Sequence, residues 1–259
     1  MKILAVANQK GGVGKSTVCV GTAYAAVEAG KRVLLVDFDR QGSLSTSFPE
    51  TGADDGTATT ASQLFAEQAT IRPEILAPGL AILRADDTLS MLSGVNQEGI
   101  KRPARYLREL AKDFDICIID TPGVLGVNPP MTIAALVAAD AVVCPFGVGL
   151  YESKALSDLW DYLRGVRANG YNPKLRLMGL IPSKVHTASR EEMAALEQLR
   201  EQFGNIILPL MLGERASVKQ AIANRKPVWK GTRGAGHLKA AQEWKAATQY
   251  ILTNLGVLK

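Results

Sequence analysis

The chain has 259 residues, of which 47% are hydrophobic and 21% are charged, so it can bury a sizeable core. The longest candidate for a membrane span, residues 133–146, is too short and contains Asp140, which excludes it as a bilayer-crossing helix. The net charge of +5 is unevenly distributed. Residues 215–245 contain eight basic residues and one acidic residue, whereas residues 1–214 carry a net charge of −3.

The first segments of the chain predict a strand, a glycine-rich loop and a helix. Residues 2–8 form an apolar run typical of a buried strand, and residues 15–29 have a helical pattern that ends at Gly30. The apolar run leads directly into the polar residues 8–10, unlike a secretory signal peptide, so we expect a cytoplasmic protein.

Strand-like and helix-like segments alternate along the rest of the chain. The predicted strands are residues 32–37, 81–84, 115–120, 141–145 and 175–181. The predicted helices are residues 103–112, 152–168 and 238–255, and a loop is predicted at residues 51–60. Because the strand-like runs are apolar throughout and are separated by helices, we predict an α/β fold with a doubly wound, mostly parallel sheet and helices on both faces. We expect residues 1–259 to form a single domain that contains the basic segment 215–245.

The cysteines indicate neither a metal site nor a disulfide framework. Cys19, Cys117 and Cys144 are far apart, and each lies among apolar or small residues. Because the chain has no CxxC pair and no cysteine–histidine spacing typical of zinc, we expect three buried thiols.

The loop Lys10-Gly-Gly-Val-Gly-Lys-Ser-Thr17 follows a predicted strand and opens a predicted helix, which is the context of a phosphate-binding P-loop. Glycines let backbone N–H groups turn towards phosphate oxygens, and the N-terminus of the following helix attracts negative charge. We expect Lys15 to contact the β- and γ-phosphates, the Ser16 hydroxyl to bind Mg²⁺ and Thr17 to reach the α-phosphate. The predicted nucleotide-binding residues of the loop are Gly11, Gly12, Val13, Gly14, Lys15, Ser16 and Thr17.

Three carboxylates lie at the ends of predicted strands, where a doubly wound sheet binds its ligand. Asp120 ends the strand at residues 115–120 and is the candidate Walker B acid, which holds Mg²⁺ directly or through water. Asp37 and Asp39 lie at the end of the strand at residues 32–37, and their spacing by two points both side chains the same way. We therefore expect all three carboxylates beside the phosphate loop.

The sequence Asp120-Thr-Pro-Gly123 leaves GTP open as the nucleotide, because it matches the DxxG switch in which a glycine N–H of a GTPase contacts the γ-phosphate. A guanine pocket is typically formed by Asn-Lys-x-Asp after a late strand. The corresponding place here, residues 183–186, has the sequence Ser-Lys-Val-His. Because the aspartate that pairs with guanine is missing, we expect the nucleotide to be ATP.

Lys10, beside the first glycine, distinguishes this loop from an ordinary P-loop. With this lysine, the loop resembles the deviant Walker A motif of the ParA/MinD ATPases, which implies a P-loop NTPase fold of the deviant Walker type with ATP and Mg²⁺ as ligands. The resemblance implies that Lys10 reaches the phosphates of a partner subunit in a nucleotide-sandwich dimer, as an arginine finger does elsewhere. It also implies that Asp39 orients the attacking water and that Asp37 lies near the waters of Mg²⁺. The implied catalytic residues are Lys10, Lys15 and Asp39, and the implied metal-site residues are Ser16, Asp37 and Asp120.

Two positions depart from the family pattern. Arg40 stands where the family usually has Pro, and Gly123 stands where it usually has Pro or Ala. The resemblance further implies that adenine is lined by two segments of the chain, which contain Pro182, Ser183, Pro209, Leu210 and Met211.

The similarity extends over essentially the whole chain to the plasmid-partition ParA proteins, particularly their short, IncC-like form. It is carried by residues 7–15 (Ala-Asn-Gln-Lys-Gly-Gly-Val-Gly-Lys), 181–185 (Ile-Pro-Ser-Lys-Val) and 226–230 (Lys-Pro-Val-Trp-Lys). It implies a homodimer that forms on ATP, binds nucleoid DNA without sequence preference and hydrolyses ATP weakly until a ParB-type centromere-binding protein stimulates it. The expected function is segregation of plasmid or chromosomal DNA by a cytoplasmic, nucleoid-associated switch.

The basic segment supports DNA binding independently of the resemblance, because clustered Lys and Arg neutralise backbone phosphates without reading the base sequence. A solvated basic surface is the alternative interpretation. We expect no helix-turn-helix arm of the kind that long ParA proteins carry, and therefore no operator-specific binding. The candidate DNA-binding residues are Arg190, Arg215, Lys219, Arg225, Lys226, Lys230 and Arg233.

The last predicted helix bears on a second hypothesis for the function, a MinD-like positioning ATPase on a membrane. A membrane-seeking helix needs a strong apolar face flanked by lysines, whereas alanine and threonine dilute the face of this one. We therefore expect it to dock on the core and expect no stable membrane association. The residues of its apolar face are Trp244, Ala247, Thr248, Ile251, Leu252 and Leu255.

Proteins of related fold suggest three further hypotheses for the function. A ParA-like positioner of a protein cargo stays open, because relatives of this kind move plasmids, chromosomes and protein assemblies. An iron–sulfur ATPase like nitrogenase iron protein is disfavoured, because Cys117 and Cys144 lie inside predicted strands. A bacterial tyrosine kinase of related fold would carry a terminal tyrosine cluster, and only Tyr250 is present there.

Overall fold

The computed structural model describes residues 1–50, 56–149, 152–231 and 233–258, so residues 51–55 of the predicted loop lie outside the described part of the chain. The strands are β1 Lys2–Val6, β2 Val33–Asp37, β3 Glu74–Ala77, β4 Leu80–Leu83, β5 Ile116–Asp120, β6 Ala141–Phe146, β7 Arg176–Val185 and β8 Leu212–Gly213. The helices are α1 Lys15–Glu28, α2 Ser43–Ser47, α3 Gln97–Glu109, α4 Met131–Ala138, α5 Glu152–Ala168, α6 Arg190–Phe203, α7 Ala216–Ala223 and α8 Gly234–Leu255.

The eight strands form one sheet in the order β3-β4-β2-β5-β1-β6-β7-β8. Strand β3 runs antiparallel to β4, and the other neighbouring strands pair in parallel. The strand order reverses around β1, which lies between β5 and β6. A doubly wound, mostly parallel sheet is therefore confirmed, with its topological switch point beside β1.

The core has two layers, one on each face of the sheet. Along β1, Leu4 and Val6 pack into one hydrophobic cluster, whereas Ile3 and Ala5 pack into the other, because successive side chains of a strand point to opposite faces. Helices α1 and α8 cover the Leu4 face, and α3, α4, α5 and α6 cover the Ile3 face. Both faces are thus buried, which explains why the strands are apolar at every position.

Helix α8 docks on the core through its apolar face. Every residue predicted for that face is buried, and Trp244 is only 4% exposed. Its ring lies so close to Gly21 of α1 that a Cβ atom at Gly21 would come within 2.7 Å of two ring carbons. The prediction that this helix packs on the core is therefore confirmed. Among the described residues, no helix is long and apolar enough to cross a membrane.

Several elements differ from the predicted ones. Helix α3 begins at Gln97 rather than at Pro103, because the Asn96 side chain caps it by accepting a hydrogen bond from the Gly99 N–H over 2.8 Å. Strands β3 and β8 and helices α2, α4, α6 and α7 were not predicted. The expected burial of the thiols is confirmed, since Cys19, Cys117 and Cys144 are all free and buried.

Candidate functional site

Three strand ends converge at one edge of the sheet. Asp120, the last residue of β5, lies opposite Val6 of β1 on one side and opposite Asp37 of β2 on the other. The glycine loop leaves β1 at this same edge and leads into α1. The carboxylates and the loop are therefore assembled by parallel pairing of β2, β5 and β1, as the strand pattern predicts.

The loop has the backbone geometry of a phosphate cradle. Gly12 and Gly14 have positive φ angles of 74° and 93°, and Gly14 occupies the left-handed region immediately before α1. A Cβ atom on Gly14 would also lie 2.9 Å from the Ser183 Oγ, so both conformation and space require glycine there. The loop thus presents backbone N–H groups and the N-terminus of a 14-residue helix to one point.

Lys15 lies inside this cradle and is only 6% exposed. Its ammonium donates a hydrogen bond to the Lys10 carbonyl over 3.0 Å. Burial lowers the pKa of Lys15, and the nearby carboxylates of Asp120 and Asp39 oppose that shift. A buried cation that faces two carboxylates is placed to neutralise an anionic ligand at the loop.

Asp120 is completely buried, and neither of its carboxylate oxygens has a hydrogen-bond partner in the described part of the chain. Burial and the neighbouring Asp37 raise the pKa of Asp120 to about 8. The Ser16 hydroxyl lies close enough to lower that pKa, although not in hydrogen-bonding geometry. A buried carboxylate without partners costs several kcal/mol unless a cation compensates it.

These residues fit Mg²⁺. The ion is usually held by one or two carboxylates together with waters and substrate phosphates, rather than by a cage of protein ligands. Consistent with this, the described residues contain no group of three or more His, Cys, Asp or Glu side chains that could hold a metal. Asp120 and Ser16 supply the carboxylate and hydroxyl oxygens that such a site needs, beside the cradle where phosphate oxygens would complete it.

Asp37 and Asp39 differ in their surroundings. The buried Asp37 carboxylate accepts hydrogen bonds from the Asp39 N–H over 3.1 Å and from the Ser45 N–H and hydroxyl over 2.8 and 2.7 Å. Burial raises the pKa of Asp37 to about 6, and the Ser45 hydrogen bonds limit the rise. Asp39 is half-buried, and among the described residues its carboxylate accepts one hydrogen bond, from the Gln41 N–H over 3.0 Å. The Asp39 carboxylate therefore keeps more of its hydrogen-bonding capacity for a water or ligand.

Ser45 is itself held by Arg84, at the end of β4. The Arg84 guanidinium donates to the Ser45 and Phe48 carbonyls over 2.6 and 3.0 Å and pairs with Glu74 of β3. Sequence reasoning missed both Ser45 and Arg84. The spacing carries no signal for them, because their contacts join segments 8 to 40 residues apart.

Lys10 forms an ion pair that was not predicted. Its ammonium donates to the Glu152 carboxylate, at the start of α5, over 2.7 Å. The Lys10 side chain is 39% exposed, whereas that of Glu152 is 12% exposed, so the pair lies at the rim of the site. Within one protomer the lysine is thus held beside the loop, and its action on a partner subunit stays a prediction.

The departure at Gly123 has a steric reason. A Cβ atom there would come within 3.0 Å of the Gly11 nitrogen and 3.3 Å of the Gly11 Cα. The segment after β5 packs so close to the phosphate loop that a side chain here would push the loop backbone away by a few tenths of an ångström.

A cavity of about 370 Å³ adjoins the loop, and we call it the base cavity. It lies between the loop, the end of β7, β8, α7 and α8. Lys184 lines the cavity on the side of the phosphate loop, where its ammonium donates a hydrogen bond to the Gly12 carbonyl over 2.5 Å. Its lining includes Gly14, Thr17, Ser183, Glu214, Ile222 and Trp244.

Of the residues predicted to line adenine, Ser183 lies at the base cavity and the others do not line it. Pro182 is buried in β7 opposite Phe146, and residues 209–211 precede β8 outside the cavity lining. The cavity is lined instead by residues 212–215 and by α7, which the sequence analysis did not assign to the nucleotide.

The predicted DNA-binding residues occupy different places. Three of them, Arg225, Lys226 and Lys230, line a groove of about 750 Å³ between α1 and α7, which we call the basic groove. Arg215 instead turns inward and pairs with Glu243 over 2.5 Å, its side chain only 14% exposed. Lys219 pairs with Glu214 at the base cavity over 2.8 Å. Arg190 and Arg233 are exposed at the starts of α6 and α8.

Comparison with known proteins assigns the family. The sequence model of the AAA_31 family, described as an AAA domain, matches residues 1–177. Protein IncC of Escherichia coli is 31% identical over 267 residues, which cover 99% of this chain and 71% of the relative. The chromosome-partitioning ATPase Soj of Thermus thermophilus is 33% identical over 256 residues, covering 95% of this chain and 96% of the relative.

Solved structures agree on the fold. Apo McdA of Cyanothece superposes with a TM-score of 0.80 at 21% identity, covering 97% of this chain and 99% of McdA. A plasmid partition protein of Borrelia burgdorferi bound to AMPPNP superposes with a TM-score of 0.78 at 23% identity, covering 98% of this chain and 99% of that protein. Taken with the sequence relatives and the phosphate loop, these matches show that the chain belongs to the ParA/MinD family of deviant Walker A ATPases, among its ParA/Soj-type partition ATPases.

Proposed function

We propose that this chain is an ATP-driven switch that segregates plasmid or chromosomal DNA. ATP with Mg²⁺ closes a homodimer, the dimer binds nucleoid DNA without sequence preference, and a ParB-type centromere-binding protein stimulates hydrolysis and release. The observation that carries the proposal is the phosphate loop, with Lys15 buried inside it and Lys10 at its rim. The relative named as a chromosome-partitioning ATPase supports this role in DNA segregation. We propose that the protein acts in the cytoplasm, on the nucleoid.

Each residue of the site has a separate role in hydrolysis. Lys15 and the loop N–H groups hold the β- and γ-phosphates, and Ser16 with Asp120 holds Mg²⁺, which neutralises charge on the phosphates when it is bound. Asp39 orients the attacking water, since its half-buried carboxylate accepts a hydrogen bond from the Gln41 N–H, whereas that of Asp37 accepts hydrogen bonds from Ser45 and from the Asp39 N–H. Asp37, fixed by Ser45, accepts hydrogen bonds from waters of the metal. Lys10 acts on the phosphates of the partner subunit after leaving Glu152.

The charge distribution favours DNA over a protein cargo or a membrane. Arg225, Lys226 and Lys230 converge on one groove rather than being scattered over the surface. Arg190 and Arg233 are exposed at the starts of α6 and α8 but do not line this groove, whereas Arg215 and Lys219 are engaged in ion pairs. Since α8 buries its apolar face, it offers little to a bilayer.

DNA binding under controlled salt tests the proposal. The double variant Arg225→Glu, Lys226→Glu should bind a random duplex more weakly with ATP present and should lose about 2 units of the slope of log affinity against log salt, because each lost phosphate contact removes about 0.9. Fluorescence anisotropy measures both quantities. The control, Lys101→Glu with Arg108→Glu on exposed positions of α3, should keep the wild-type slope. A wild-type chain that does not bind DNA with ATP would overturn the proposal.

A further inference from the structure

Helix α7 separates the base cavity from the basic groove. Its residues Val218, Lys219, Ile222 and Ala223 line the base cavity. Its residues Ser217, Gln220 and Ala221 line the basic groove. Because successive residues of a helix are rotated by about 100°, these two sets fall on opposite arcs of α7. One short helix therefore forms a wall of both cavities.

The basic groove has the chemistry of a phosphodiester site. Its one acidic lining residue, Glu28, is engaged by the Trp229 indole N–H over 2.7 Å and by the Lys230 ammonium over 3.1 Å. Arg225 and Lys226 form no ion pair among the residues that the structure describes.

Ser217 adds an independent sign of a ligand. It is 8% exposed, lines the groove, and its buried hydroxyl has no hydrogen-bond partner among the described residues. A buried hydroxyl without a partner is costly, so a polar ligand in the groove would relieve it.

The cations of the groove are fixed to α7 and to α1. The Lys226 N–H donates to the Ala221 carbonyl and the Arg225 N–H donates to the Ile222 carbonyl, each over 2.9 Å. The Tyr24 hydroxyl of α1 donates to the Arg225 carbonyl over 2.9 Å. Arg225 has a φ of 54°, in the left-handed region, and these hydrogen bonds tie its turn to the end of α7.

We propose that the basic groove binds the phosphodiester backbone of DNA and that α7 couples its affinity to occupancy of the base cavity. This inference rests on the proposed function. It assigns the coupling between nucleotide and DNA to one helix, α7, within each protomer. A nucleotide base in the cavity contacts the Val218–Ile222 face of α7 and biases the position of the turn that carries Arg225 and Lys226. By linkage, DNA in the groove raises the affinity for the nucleotide by the same factor.

Loosening α7 tests the coupling. Ala221→Gly, which faces the groove, weakens the helix by about 1 kcal/mol without adding bulk or charge. The matched control is Ala194→Gly on the exposed face of α6. Duplex affinity is measured by anisotropy with a non-hydrolysable ATP analogue and without nucleotide, and the ratio of the two affinities is the coupling factor. We expect Ala221→Gly to lower this factor about fivefold, and the control to leave it unchanged.

A charge change tests the place of DNA. Gln220→Glu puts a carboxylate on the groove face of α7, whereas Gln198→Glu puts one on an exposed position of α6. We expect only Gln220→Glu to weaken DNA binding, with nucleotide affinity measured without DNA unchanged in both.

The outcomes separate this inference from the proposed function. Wild-type protein that binds no DNA with the analogue would overturn both. ATP-dependent DNA binding in wild type, with an undiminished coupling factor in Ala221→Gly, would overturn the inference alone. Loss of the analogue-induced dimer in Ala221→Gly, seen by sedimentation, would assign α7 to assembly and overturn the coupling as well.

Discussion

At the scale of single residues, the site is a set of ionisable groups that are buried before any ligand arrives. Asp120 has no hydrogen-bond partner among the described residues, and Lys15 is almost fully buried beside it. Such groups destabilise the free protein and are compensated when phosphates and a cation bind. The site therefore exchanges stability of the free chain for affinity towards the charged nucleotide.

Lys15 should dominate nucleotide affinity. Replacing it with Ala removes a charge-assisted contact worth about 1.5–3 kcal/mol, so ATP affinity should fall about 10- to 100-fold. Titration with a fluorescent ATP analogue and Mg²⁺ measures this loss. Lys174→Ala, on an exposed position far from the loop, is the control and should bind as wild type does. Wild-type affinity in Lys15→Ala would refute the phosphate-loop assignment.

The buried acids should make the nucleotide-free protein less stable as the pH rises. The pKa values of Asp37 and Asp120 are raised from 3.8 to about 6 and about 8, so the folded state retains protons that the unfolded chain has already released. Their contribution is fully present below pH 3.8 and is lost as the pH rises through 6 and 8. The lowered pKa of Asp115, about 2, affects stability only at lower pH.

Urea unfolding of the free protein at pH 5 and pH 8 measures this dependence. The urea midpoint should be lower at pH 8, and Asp120→Asn should reduce the difference between the two midpoints. A midpoint that rises with pH in the wild type would contradict the buried, unpaired state of Asp120.

Sequence reasoning reached the residues whose role is local. The glycines, Lys15 and the carboxylates are predictable because a strand end, a loop and a helix start follow one another in the chain. Ser45 and Glu152 are not, since each meets its partner only after the sheet has formed. The inward turn of Arg215 was also unpredictable, because Glu243 lies 28 residues away.

At the scale of elements, burial decided what could be predicted. Strands β1, β2 and β5 are buried at nearly every position and stand out as apolar runs. Strand β3 has an exposed Ile75 and only four residues, so nothing in its pattern separated it from a loop. Helices α4 and α7 have eight residues each, too short for a clear helical period.

The packing of α1 against α8 can be tested with two glycines. Gly21→Ala should destabilise the protein by about 1–3 kcal/mol, because its Cβ would overlap the buried Trp244 ring. Gly165→Ala in α5 meets only the Asn169 side chain at 3.9 Å and should stabilise by about 0.5–1 kcal/mol through helix propensity. Denaturant unfolding of both variants gives the comparison. Stabilisation by Gly21→Ala would mean that α8 does not lie against α1 as described.

At the scale of the whole molecule, two features point outward from the nucleotide. Lys10 lies at the rim of the site, paired with Glu152, and the basic groove lies on the far side of α7. The sheet and helices were predictable from periodicity, and the local excess of charge was visible in composition. Which basic residues face the groove could be learned only from the fold, because Arg215 and Lys219 form ion pairs elsewhere.

The central claim is that ATP closes a dimer through Lys10, and sedimentation of a hydrolysis-deficient variant tests it most directly. Asp39→Ala should hydrolyse ATP about 10²- to 10⁴-fold more slowly and so hold the ATP state. With ATP and Mg²⁺ it should sediment at twice the 27.7 kDa of one chain, and without nucleotide as a monomer. Adding Lys10→Ala should keep ATP binding and return the protein to the monomer. A double variant that still dimerises with ATP, or an Asp39→Ala protein that stays monomeric with ATP bound, would contradict the account.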